Sequence, residues 1–125
     1  MLQIISHPEM HVSAATATGT LTAEDYAQKI LPDLRMRLGL YPKVSRYFHM
    51  DGFTGWTPGA LWDDITFGLA HARDFRKIAL VGDAKWGTAL VPLLGPFTSA
   101  TVKFFPKAEK EEAWLWVGTS TVAHP

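Results

Sequence analysis

Apolar residues recur along this chain with two spacings, and the switches between them define an element order. Leu2-Gln-Ile-Ile-Ser6 is a short apolar run stopped by His7-Pro8, and Val12–Thr20 is a stretch of small and β-branched residues. Both read as strands, and the short link between them predicts an antiparallel hairpin at one sheet edge. Thr22-Ala-Glu-Asp25 fits a helix N-cap with an acid three positions on, which suits the positive end of the helix dipole. Tyr26, Ile30, Leu34 and Leu38 then recur every fourth residue as a helical stripe. Pro32 removes one backbone donor inside it, which predicts a kink rather than two helices. Gly39 and Pro42 close this helix, and Val44–Met50 alternates, with Val44, Phe48 and Met50 on one face and Ser45, Tyr47 and His49 on the other.

Asp51-Gly-Phe-Thr-Gly-Trp56 reads as a Gly-punctuated loop. Thr57-Pro58 is an N-cap followed by proline at the first helical position. Leu61, Ile65, Leu69 and Ala72 supply the stripe expected to be buried. Ile78–Val81 is uninterrupted and apolar, as a central parallel strand should be. Gly82-Asp83 ends it. Trp86, Leu90, Leu93 and Leu94 mark a third helix containing Pro92, closed by Gly95-Pro96. Thr101–Phe105 is a last strand, and residues 109–117 form a final helix with Trp114 and Val117 inward; the tail from Thr119 to Pro125 reads as frayed.

The order β-β-α-β-α-β-α-β-α predicts one α/β domain over residues 1–125, with parallel strands joined by right-handed crossovers. The sheet is mixed, about five strands, its N-terminal edge antiparallel. If the face of Ser45, Tyr47 and His49 coincides with that of Thr101, Lys103 and Phe105, one side of the sheet lacks helices. That differs from a doubly wound fold.

Composition narrows the function classes. The 125 residues carry 12 Lys+Arg and 12 Asp+Glu, and both halves of the chain, divided after Trp62, are neutral. Bulk charge therefore gives no reason to expect nucleic acid or an anionic membrane. Without Cys, no disulfide framework, thiol nucleophile or Cys-ligated metal is available. The N-terminal residues lack the basic and apolar regions of a signal peptide. No run reaches the roughly 20 apolar residues that span a bilayer. The expectation is a cytoplasmic domain with no transmembrane segment.

The segment from Tyr47 to Asp64, Tyr-Phe-His-Met-Asp-Gly-Phe-Thr-Gly-Trp-Thr-Pro-Gly-Ala-Leu-Trp-Asp-Asp, resembles the central region of the SpoIIAA-like family of small bacterial proteins. Ile78-Ala-Leu-Val-Gly-Asp-Ala-Lys-Trp86, Gly95-Pro-Phe97 and Val102-Lys-Phe-Phe105 resemble its later landmarks. The resemblance runs from about residue 10 to 117. It implies a STAS-like β-α superhelix with about four helices mainly on one face of the sheet. Apolar or lipid-like ligands are suggested for such proteins by similarity to lipid-binding domains. STAS antagonists carry an Asp-Ser-Ser segment with a phosphorylatable serine at this place. Here Gly52 and Phe53 follow Asp51, so a phosphoswitch would have to move to Thr54 or Thr57.

Candidate chemistry gathers where two strands meet their helices. Asp51 and Asp83 each follow a parallel strand, at the carboxyl edge where α/β sheets bind ligands. They invite a metal or acid–base reading, but no third ligand sits at a helpful spacing, and a capping or turn role explains each. Lys85 lies one residue beyond a cap, where it meets an anion or extends into solvent. The five His form no chelating pair, and no Ser sits in a nucleophile elbow. Phe53, Trp56, Trp62 and Trp86 are expected to cluster at the two junctions, with Trp56 hardest to bury between Gly55 and Thr57.

Together these features predict a non-enzymatic ligand-binding or regulatory module without a cofactor or metal. Its candidate site comprises Asp51, Phe53, Thr54, Trp56, Asp83, Lys85 and Trp86, opened by movement about Gly52 and Gly55. The alternatives are a protein–protein module, through a phosphoswitch or a homodimer on the open sheet face, and an enzyme using Asp51, Asp83 or His49.

Overall fold

The computed structural model describes residues 1–95 and 98–119. The expected helix stop at Gly95-Pro96, the landmark Gly95-Pro-Phe97 and the tail beyond Thr119 therefore fall partly or wholly outside the described residues. Strand β1 (Leu2–Ile5) pairs antiparallel with β2 (Val12–Leu21). β3 (Val44–Trp56), β4 (Phe75–Gly82) and β5 (Thr101–Pro106) then follow in parallel, so the spatial order repeats the chain order. Each crossover joins neighbouring strands in the same direction. Right-handed connections therefore stack the intervening helices on one face.

Those helices begin as the sequence indicates. Thr22 accepts from the Asp25 N–H while the Asp25 carboxylate accepts from the Thr22 N–H, a capping box that opens α1 (Ala23–Asp25). α1 runs through a π-helical turn (Tyr26–Ile30) into α2 (Leu31–Leu40). The backbone accommodates Pro32 in this way. A prolyl ring clashes with the carbonyl four residues back, and the wider turn, closed by Leu31 N–H to Tyr26 O, gives it room. Thr57 accepts from the Ala60 N–H and caps α3 (Pro58–Ala70), with Pro58 at its first position. α4 (Ala84–Leu94) starts after Asp83 and contains Pro92. At Gly87 an added Cβ would lie 2.4 Å from the Phe104 ring, so glycine permits α4 to approach β5 this closely.

Two expectations are corrected here. First, Asp51–Trp56 is not a loop: β3 continues through it, and Gly19, Thr20 and Leu21 of β2 still pair with Phe53, Gly55 and Trp56, with register shifts on either side of Gly19. Gly52 and Gly55 adopt φ of 63° and 124°, conformations cheap only for glycine, so the strand bulges there without breaking. Second, the face of Tyr47, Ala79 and Phe105 is not open. A short 3-10 turn (Lys107–Glu109) leads to α5 (Lys110–Gly118), which returns across that face and buries Ala113 and Val117 against Val12, Ala14, Tyr47 and Val81. A homodimer through a bare sheet face thus has no such face at these strands. Lys77 anchors the helix end, its Nζ donating to Trp116 O at 3.1 Å and Thr119 O at 3.3 Å, where a cation suits the dipole.

The larger core lies on the opposite face, under the crossover helices. Phe48, Met50 and Leu80 from the sheet pack there with Tyr26, Ile30, Leu34 and Leu90. α2 is tied to the sheet by Asp33, which accepts from Ser13 Oγ of β2, and by Arg37, which pairs with Asp33 within the helix and donates from Nη1 to Met10 O.

Candidate functional site

The stripe Leu61, Ile65 and Leu69 has the helical spacing expected of a buried face, yet it is not buried. Ala60 is the only buried residue of α3; Leu61 is 36% and Leu69 53% exposed. Across from it, α4 buries Leu90, but leaves Leu93 46% exposed. Between the two helices a cavity of about 210 Å³ opens over the sheet. Phe48, Ile78 and Leu80 form its floor, and Ile30 of the π turn, Leu21 and Trp56 close one end. Gly68 widens it, since a Cβ there would meet nothing within 4 Å.

One polar group interrupts this wall. Arg46, on β3 between Val44 and Phe48, donates from Nη1 to Asp64 Oδ1 of α3 at 3.2 Å. The same oxygen accepts from the Tyr26 hydroxyl at 2.8 Å. Burial and the neighbouring Asp64 charge push the Tyr26 hydroxyl well above the ordinary phenol range. Arg46 is held firmly charged, because Asp64 more than offsets the cost of its burial. From the sequence Arg46 and Asp64 have no assigned role, and Tyr26 reads only as the first residue of a helical apolar stripe. A usable signal existed for Arg46, a charge on the strand face it shares with the apolar Val44, Phe48 and Met50.

The sequence-derived candidates fall in several places. Phe53, Trp56 and Trp86 do cluster, with Phe48 as a fourth member: ring centroids are 4.9 Å apart for Phe53–Trp56 and 5.9 Å for Trp56–Trp86. Trp62 does not join them and is 67% exposed, because it follows Leu61 on α3 and so points away from the stripe. Trp56 lines the cavity, and the indole N–H groups of Trp56 and Trp86 are buried without a hydrogen-bond partner among the described residues. Lys85 is exposed and places Nζ 5.7 Å from the Trp86 ring centre. Asp51 is exposed and lies 3.6 Å from Lys107 Nζ. Asp83 occupies the N-cap position of α4, but its carboxylate makes no capping bond. Thr54 is exposed and shares a 2.9 Å hydrogen bond with Thr20.

The second hollow, about 340 Å³, is shallower and lies on the α5 face between Tyr47, His49, Lys110 and Trp114. Burial lowers the His49 pKa, with Lys110 and Lys107 acting in the same sense and Asp51 against them. Among the described residues no three His, Asp or Glu side chains are placed to hold a metal. No helix there is long and apolar enough to cross a membrane.

A five-stranded sheet in chain order, with its crossover helices on one face and a terminal helix on the other, defines a STAS-like α/β domain. The chain belongs to the SpoIIAA-like family, whose profile matches residues 12–118. Four solved chains are similar to it in fold. One is an uncharacterized protein from the DUF3478 family with a SpoIIAA-like fold from Shewanella loihica PV-4. It is 26% identical, with a TM-score of 0.70 over 94% of this chain and 92% of that chain. No curated protein matches. At family level this supports a regulatory or protein-interaction module.

Proposed function

We propose that the protein is a binding module that takes a small apolar ligand between α3 and α4, and that it acts by binding rather than by catalysis. One observation carries the reading: α3 turns Leu61, Ile65 and Leu69 toward a cavity, where a packed core would be expected. Small-molecule sites are concave and mostly apolar with a few placed polar groups, and here Arg46 and Asp64 supply those. The driving force is the burial of apolar surface, roughly 25 cal/mol per Å². Trp56 joins the site from the candidate set, with Phe53 and Trp86 supporting it from behind. Asp51, Asp83 and Lys85 lie on exposed surface, where they face solvent and suit a partner more than an apolar ligand.

The test is native mass spectrometry of gently purified protein, followed by the same sample denatured. A surplus mass lost on denaturation is the expected result. A bare mass, together with no uptake of added apolar probes, would overturn the reading.

A second reading draws on α3 itself. Thr57 caps the helix that walls the cavity, and a phosphate there would sit at its positive end. Thr54 is the exposed alternative. Modification of either would make the module a phosphoswitch for a protein partner. A surplus near 80 Da, expected for one phosphate, that survives denaturation and maps to Thr54 or Thr57 would favour it.

A further inference from the structure

Resting on the groove reading above, the polar end of the cavity specifies what kind of apolar molecule it takes. A guanidinium carries five N–H donors. Among the described residues Arg46 uses them in one hydrogen bond, to Asp64 Oδ1, while its side chain is only 18% accessible and borders the cavity. The unbonded Arg46 nitrogens are not among the fully buried unpaired atoms, so they face the solvent-filled cavity. A ligand that displaces that solvent strands them at a cost unless it brings an acceptor. Charge points the other way. The Arg46 cation is already matched by Asp64, so the pair has spare donors but no spare charge. A carboxylate head would bring a second anion beside Asp64, and an ammonium a second cation beside Arg46. Each would also have to leave water, which a low-dielectric site does not repay without an opposite charge of its own.

We propose that the cavity binds an uncharged amphiphile, an apolar chain or ring bearing a carbonyl acceptor that docks on the free N–H groups of Arg46. Its size follows from the volume. A cavity of about 150 Å³ holds benzene, so 210 Å³ holds about eight to ten heavy atoms, with any longer tail leaving between Leu69 and Leu93.

Four probes separate the outcomes: 2-octanone, octanoate, octylammonium and ethylbenzene, titrated into the whole protein and followed by amide and arginine side-chain ¹H–¹⁵N spectra. The ketone should bind at least about tenfold more tightly than either charged homologue, and should shift the Arg46 Nε–H signal. Ethylbenzene should bind without shifting it. The paired variant Arg46→Met with Asp64→Asn removes both charges together and leaves Tyr26 an acceptor. It should weaken the ketone about tenfold and change ethylbenzene less than twofold. Equal affinity for all three heads, or a preference for octanoate, would overturn the proposal while leaving the groove reading intact. Failure of every probe, ethylbenzene included, would sink the groove reading and the proposal with it. The Arg46 signal is read in the native protein, so an unstable variant does not remove the test.

Discussion

Gly68 lies within α3, and a side chain built there would point into open space. In an ordinary packed helix its replacement risks a clash; here Gly68→Ala should stabilise. Two terms set the size. Glycine within a helix is about 0.8–1.0 kcal/mol less favourable than alanine. The added methyl also covers part of the apolar wall, worth at most about 0.8 kcal/mol if fully buried. With the second only partly realised, the gain should be about 1 kcal/mol. In urea titrations, where slopes of 1–3 kcal/mol/M are usual, that moves the midpoint up by roughly 0.5 M at unchanged slope. Gly68→Leu fills more of the cavity, so it should keep the stability while losing affinity for apolar probes. A stability loss above about 1 kcal/mol in Gly68→Ala would mean that α3 packs down onto the sheet and no groove exists there.

Further outcomes follow from the packing and the charges. Gly87→Ala should destabilise by about 1–3 kcal/mol in the same titration, because the new methyl would overlap the Phe104 ring; the double variant Gly87→Ala with Phe104→Leu should recover part of that. Asp64→Ala should cost about 3 kcal/mol by stranding the Arg46 charge and the Tyr26 hydroxyl, against about 1 kcal/mol for Tyr26→Phe. Folding also favours neutral His11 and His49, whose pKa values burial lowers from about 6.5. The unfolded chain therefore binds more protons below that value. The stabilisation is present above pH 6.5 and lost as the pH falls through it. Chemical denaturation at pH 7 and pH 5 should show the loss, and a His11→Asn, His49→Asn variant should flatten it.

Most of the fold was legible because strand and helix periods differ so clearly along this chain. The alternation in Val44–Met50, the unbroken Ile78–Val81 run and the caps at Thr22 and Thr57 each mark a local choice that packing then keeps. The bulged end of β3 was not legible. Gly52 and Gly55 signal a turn and a positive-φ bulge alike, and only the partner strand decides between them. The groove was hidden for a different reason. Helical spacing places Leu61, Ile65 and Leu69 on one side of α3 without saying whether that side meets a core or a space. The course of α5 was equally open, since its sequence pattern does not say which face of the sheet it covers. The aromatic junction of Phe53, Trp56 and Trp86 was found because consecutive parallel strands bring their carboxyl ends together. Arg46 escaped because its partner Asp64 lies on a different element, at a distance only the fold reveals.

A ligand bound between α3 and α4 would touch the side chains that line that space. Titrating ethylbenzene into methyl-labelled protein, and repeating it with Gly68→Leu, tests this most directly. Shifts at the methyls of Ile30, Leu61, Ile65, Leu90 and Leu93 should saturate in the native protein and vanish in the variant. Shifts confined to the neighbourhood of Asp51 and Asp83, or an undiminished response in the variant, would contradict it.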